Sequence, residues 1–239
     1  MNRFVPSFLA LLFFPAALDA APAFIQANKG GSASTSSLSL AFTSNNTAGN
    51  LIIVYADISG TSGASVSTVS DARGNTYTSA VGPISNGTDY QFQVWYAKNI
   101  PGGSNTVTIT YSIAVTNDVG IAEYSGLDTV SPLDVSASNT GNSATCSTGT
   151  TAASTAASEL VVANCSAFNG ASYGAVSGYT LETTGTGSFI ALYNKIVSST
   201  GTQTLSTTVT SGRWIGIITT WKSPTAALNA PLRRTVVMD

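Results

Sequence analysis

The sequence predicts an all-β protein: a two-sheet antiparallel sandwich, jelly-roll-like, built from two related halves. Three observations carry this. Helical periodicity is almost absent, and short alternating segments recur with turn signals every ~8–12 residues. The run NLIIVYAD (50–57) is almost uninterrupted in its apolar character and rich in β-branched residues, as a strand buried on both faces would be. A second run, ELVVAN (159–164), follows a similar small-residue lead-in and echoes the first.

Residues 24–27 and 36–43 read as the opening strands, with Leu38, Leu40 and Phe42 on one face. After the buried 50–57 strand, segments 66–70 and 76–81 flank Asp71-Ala72-Arg73-Gly74-Asn75, a hairpin connection with Gly74 at the left-handed position. In 90–98, Tyr90, Phe92, Val94 and Tyr96 share one face, and Gln91, Gln93 and Trp95 the other. Segment 106–111 alternates Thr outward with Val107, Ile109 and Tyr111 inward, and 119–124 closes the first half. The second half keeps this order. Leu192-Tyr193-Asn194-Lys195 lies beside Trp95-Tyr96-Ala97-Lys98, and Ile215-Gly216-Ile217 beside Val119-Gly120-Ile121. The half-repeats run over about 24–126 and 133–222. Either alone would leave an apolar face uncovered, so one domain over 21–222 is expected. Residues 223–239 read as a flexible tail.

Residues 1–20 read as a signal peptide: Arg3, an apolar stretch over 4–18 interrupted by Pro6 and Pro15, and small residues before a cut at Ala20/Ala21. That stretch is too short to span a membrane. A secreted location, extracellular or periplasmic, is expected. Only 8% of residues are charged and the net charge is −2, which disfavours nucleic acid as a partner. Histidine is absent, which removes His-based triads and His–metal sites. Cys146 and Cys165, in an exported chain, are expected to form a disulfide; two buried thiols are the alternative.

Several motifs together carry a resemblance: Thr47-Ala48-Gly49-Asn50-Leu51, Asp71…Gly74-Asn75-Thr76-Tyr77, Tyr96-Ala97-Lys98-Asn99, and Glu123-Tyr124-Ser125-Gly126-Leu127-Asp128…Pro132-Leu133-Asp134. With these the chain resembles Ser/Thr/Gly-rich β-sandwich modules of bacterial secreted and surface proteins. The resemblance covers nearly all of the mature chain and implies fold and location, with no established activity and no catalytic residues to carry over.

For ligand contact the residues point to Trp95 with Gln91 and Gln93: an aromatic ring for the C–H face of a sugar and amides for its hydroxyls. The alternative is that a loop covers this face. Glu123 shares the core-facing parity of Val119 and Ile121, so it needs a partner, for which Lys98 is a candidate, or a raised pKa. Glu123 and Asp71 are weak catalytic candidates, Asp71 pairing with Glu123 or Glu182 as a glycosidase would require. Glu123, Asp128 and Asp134 are weak Ca²⁺ candidates; no other cofactor is expected, and the spacing is not that of an EF-hand. Outward Thr106, Thr108 and Thr110 form a row suited to a surface-binding array, although exposed Thr is favourable on any strand.

The expected function is therefore a secreted non-catalytic binding or adhesion module, with an extracellular polysaccharide or cell-surface glycan as partner. The alternatives are a structural surface protein that self-associates through strand edges, and a glycan-active hydrolase or lyase using acidic residues.

Overall fold

The structure, a computed structural model, describes residues 21–170, 172–183 and 189–224. The expected signal peptide and the tail beyond Pro224 lie outside the described residues. Among these, eleven strands and no helix form two antiparallel sheets. They are β1 (Ala23–Ala41), β2 (Leu51–Ser59), β3 (Val66–Asp71), β4 (Thr78–Ser85), β5 (Tyr90–Ala97), β6 (Thr106–Ser125), β7 (Leu133–Thr150), β8 (Glu159–Ala167), β9 (Thr180–Thr183), β10 (Ile190–Val197) and β11 (Thr204–Lys222). Among the described residues no helix is long and apolar enough to cross a membrane.

The first sheet has the order β1-β6-β2-β5-β4, with β3 also paired to β6; the second has the order β7-β11-β8-β10-β9. Apart from β3 the two orders are the same, strand for strand. Each sheet comes from one continuous half of the chain, so the exchange of strands between sheets that marks a jelly roll does not occur. The expected echo sits at corresponding places: β2 and β8 are both central, and both are buried almost throughout.

Residue by residue, the expected match is out of register. Tyr96 packs on the cluster between the sheets, whereas Tyr193 belongs to a cluster on the outer face of the second sheet. Gly120 faces the buried Tyr55 ring between the sheets, while Gly216 faces the backbone of Ser147. Because side chains alternate with period two, a one-residue slip exchanges the faces. Thus Ile215 and Ile217, not Gly216, fill the central cluster.

The central cluster joins both halves: Leu51, Ile53, Tyr55, Phe92 and Tyr124 meet Leu160, Val162, Leu192, Ile217 and Trp221. Outside it the long strands double back. In β1, a Cβ on Gly30 would lie 3.4 Å from Leu40 of the same strand; in β7, one on Gly149 would lie 3.2 Å from the Ser138 carbonyl. The folded-back part of β6, with β3 and the end of β1, covers the outer face of β2, where Val107, Ile109 and Tyr111 pack with Ile52, Val54 and Ile58. Segments 24–27 and 36–41 are therefore one strand, with Phe42 and Thr43 beyond its end, and 106–111 and 119–124 are likewise one strand. The Gly/Ser stretch between the first two is a bulged bend, with Ser34 at φ 60°.

Gly74 adopts φ 73°, as the turn chemistry requires, but the flanking strands are not a hairpin: β3 pairs with β6 and β4 with β5. The turn carries the chain from the folded-back layer to the sheet's far edge. In the second half, Cys146 on β7 is bonded to Cys165 on β8, although β11 lies between those strands in the sheet. The disulfide ties the doubled-back β7 to the strand beneath it.

Candidate functional site

Trp95 does not stand on an open face. It is partly buried against the outer cluster of the first sheet, and its Nε1 donates to Gln93 Oε1 at 3.1 Å. Gln93 is buried, and Gln91 Nε2 donates to the Ala64 carbonyl at 3.0 Å in the loop that covers this face. The parity of the three residues is as expected. The openness of their face is not, because the folded-back layer supplies a second apolar core where solvent was expected.

Glu123 is fully buried, and no cation of the described residues lies against it. Its Oε2 accepts from Gln26 Nε2 and Asn46 Nδ2, both at 2.7 Å; its Oε1 accepts from the Thr47 backbone N–H at 2.8 Å and Asn50 Nδ2 at 2.7 Å. Lys98, the expected partner, is exposed and donates to the Val130 carbonyl. Glu123 therefore anchors the 42–50 loop, and its four hydrogen bonds leave no lone pair directed at a ligand.

Asp71 is committed in the same way. It accepts from the backbone N–H groups of Arg73 and Asn75 (3.0 Å each), Asn75 Nδ2 (2.6 Å), Tyr77 Oη (2.9 Å) and Asn105 Nδ2 (2.9 Å). Burial acts to raise its pKa, but these donors together hold it below the ordinary carboxylate value. Glu182 accepts from Asn194 in the other sheet. The imagined glycosidase pairs thus fall in three separate networks. Asp128 accepts the Val130 and Ser131 N–H groups, and Asp134 binds Thr155. The three Ca²⁺ candidates are not brought together, and no group of three acidic or Cys ligands occurs among the described residues.

A cluster that sequence reasoning missed lies at one end of the central core. Asp57 continues the inward parity of Leu51, Ile53 and Tyr55, a signal that was readable in the 50–57 run. Its Oδ1 accepts the Asp118 backbone N–H at 2.9 Å, and its Oδ2 accepts from Ser166 Oγ at 2.7 Å. Tyr90 Oη donates to Ser166 Oγ at 2.7 Å, so this chain of bonds clasps the two sheets together. Burial first, then the nearby Asp118 charge, raises Asp57 from 3.8 to about 7. Burial raises Asp118 to about 6, opposed by Lys29. Beside them an open groove of about 330 Å³ is lined by Gly31, Thr116, Asn117, Asp118 and Phe189.

A carboxyl whose folded-state pKa is raised contributes its full stability below the unfolded value and loses it as pH rises through the folded value. For Asp57 the window runs from about 4 to about 7. Wild type should therefore lose stability relative to Asp57→Asn across that window, by on the order of a few kcal/mol. Urea melts of both at pH 4 and pH 7.5 measure this; a difference independent of pH contradicts it.

The outward face of the folded-back layer has a different chemistry. Thr108 pairs with Ser39 of β1 on one side and Ser70 of β3 on the other, and Thr110 pairs likewise with Ser37 and Thr68. The alternate residues Leu38, Leu40, Val66, Val69, Val107 and Ile109 point into the outer cluster. The result is two rows of hydroxyls, each three strands wide, with Ser39 Oγ and Thr108 Oγ1 2.9 Å apart. On a sheet, such rows repeat at ~4.8 Å across strands and ~6.8 Å along them.

No protein-family model, no curated protein and no solved structure matches this chain.

Proposed function

We propose that this protein is an exported, non-catalytic binding or adhesion module, and that it holds an extracellular polysaccharide or cell-surface glycan on the hydroxyl face of β1, β6 and β3. The observation that carries this reading is the pair of registered rows, Ser39–Thr108–Ser70 and Ser37–Thr110–Thr68. Every residue in them is Ser or Thr. Hydroxyls donate and accept at once, which suits a polyhydroxylated, uncharged polymer, and rows with no charge offer no purchase to an ionic one. The acidic residues first considered for catalysis are engaged in hydrogen bonds within the fold. The disulfide suits an oxidising compartment.

A glycan array followed by pull-down on the insoluble form of each hit tests this. The double variant Thr108→Lys/Thr110→Lys should be retained about tenfold less, a loss of ~1.4 kcal/mol. Retention equal to wild type would move the site elsewhere. A second reading, self-assembly, is favoured by one feature: among the described residues β1 pairs only with β6 and β7 only with β11, so each long strand leaves an outer edge for another chain. Light scattering that rises with protein concentration would favour that reading.

A further inference from the structure

We propose that Lys29 and Asp118 join in an intramolecular amide bond, a covalent clasp between β1 and β6, with Asp57 relaying the proton. The ladder places the two residues near each other. Lys29 pairs with Gly120 and Gly31 with Asp118, so Lys29 and Asp118 stand one diagonal apart on the same face. That diagonal is ~7–8 Å, within reach of a lysine stem.

Both facing positions are glycine. A Cβ on Gly31 would lie 2.7 Å from Asp118 Oδ1, so the carboxyl occupies the space that a side chain would fill. A Cβ on Gly120 would lie 2.0 Å from carbons of the Tyr55 ring, which covers the ladder beside Lys29. Lys29 Nζ is shielded from solvent and has no hydrogen-bond partner among the described residues. Asp57 holds the Asp118 backbone N–H at 2.9 Å, which sets a second carboxyl beside the first. Burial disfavours charge on all three groups: it lowers the Lys29 pKa and raises those of both aspartates. Burial thus favours the neutral amine and the neutral acid, the forms that react, although the Asp118 charge opposes it at Lys29.

The step balances without any co-reactant. The Lys29 Nζ lone pair attacks Asp118 Cγ, forming the N–C bond. Asp57 takes a proton from the nitrogen and delivers one to an Asp118 hydroxyl, the C–O bond breaks, and one water leaves through the groove beside Asp118. The clasp would serve the first sheet as the Cys146–Cys165 bond serves the second, and it stands whether or not the hydroxyl face binds glycan.

Intact mass spectrometry of the purified full chain, unfolded after folding, tests the proposal. Wild type should be lighter by one water than the Lys29→Arg variant predicts once the substitution is allowed for, and a digest should contain a branched peptide joining Lys29 to Asp118. Asp57→Asn should lower the cross-linked fraction while leaving the fold's circular dichroism unchanged; a fraction equal to wild type removes the relay. Wild type at full mass overturns the bond, and loss of ammonia instead of water would make Asn117 the acyl donor and overturn Asp118. If the variants do not fold, presence or absence of the branched wild-type peptide decides.

Discussion

Glu123→Ala should destabilise the protein by about 4 kcal/mol, because it strands several buried donors at once. Gln26, Asn46, Asn50 and the Thr47 N–H all end on this one carboxylate, at 2.7–2.8 Å. The Gln26, Asn46 and Asn50 amides have no water to turn to, since these residues are themselves buried. Glu123→Gln keeps the shape but aims an amide N–H₂ at donors, so it should recover only part of the loss. Lys98→Ala should be near neutral, because Lys98 lies outside the network. Urea melts of the three variants measure this; Glu123→Ala within 1 kcal/mol of wild type would show that the loop is held by something else.

Gly120→Ala should cost about 3 kcal/mol or more, from overpacking at a place that cannot yield. The added methyl would lie 2.0 Å from carbons of the Tyr55 ring. Gly120 sits mid-ladder, paired to Lys29 on one side and Tyr55 on the other, so its backbone cannot retreat without breaking pairs. Tyr55→Ala alone should also destabilise, by opening a cavity in the central cluster. The double variant should cost less than the sum of the two, and a double-mutant cycle reads that coupling. Strict additivity would contradict the ring–glycine contact.

How much of this was legible in the sequence depended on the range of the interaction. The inward and outward parity of 90–97, the buried character of β2 and β8, the disulfide and the left-handed Gly74 all follow from local pattern. The doubling back does not. Residues 30–34 look like a turn because Gly and Ser are turn residues, yet they form a bulged bend in a strand whose partner is some 85 residues away. Without that bend Trp95 appears to face solvent; with it, Trp95 faces a second core. Glu123 was recognisable as inward-pointing, but its partners are amides at irregular loop positions that no periodicity marks. Asp57 was overlooked although the parity of its own strand placed it inward. The hydroxyl rows were visible as Thr106, Thr108 and Thr110 alone; only register adds the flanking Ser and Thr that make a surface of a stripe.

The proposal that the outward hydroxyl face, not the covered Trp95 face, is the ligand surface meets its most direct test in one pull-down. Wild type, Trp95→Phe and Thr108→Lys/Thr110→Lys are compared on the same insoluble glycan at the same pH and salt. The expected result is wild-type retention for Trp95→Phe and about a tenfold loss for the double lysine variant. Retention lost with Trp95→Phe and kept in the double lysine variant would contradict it.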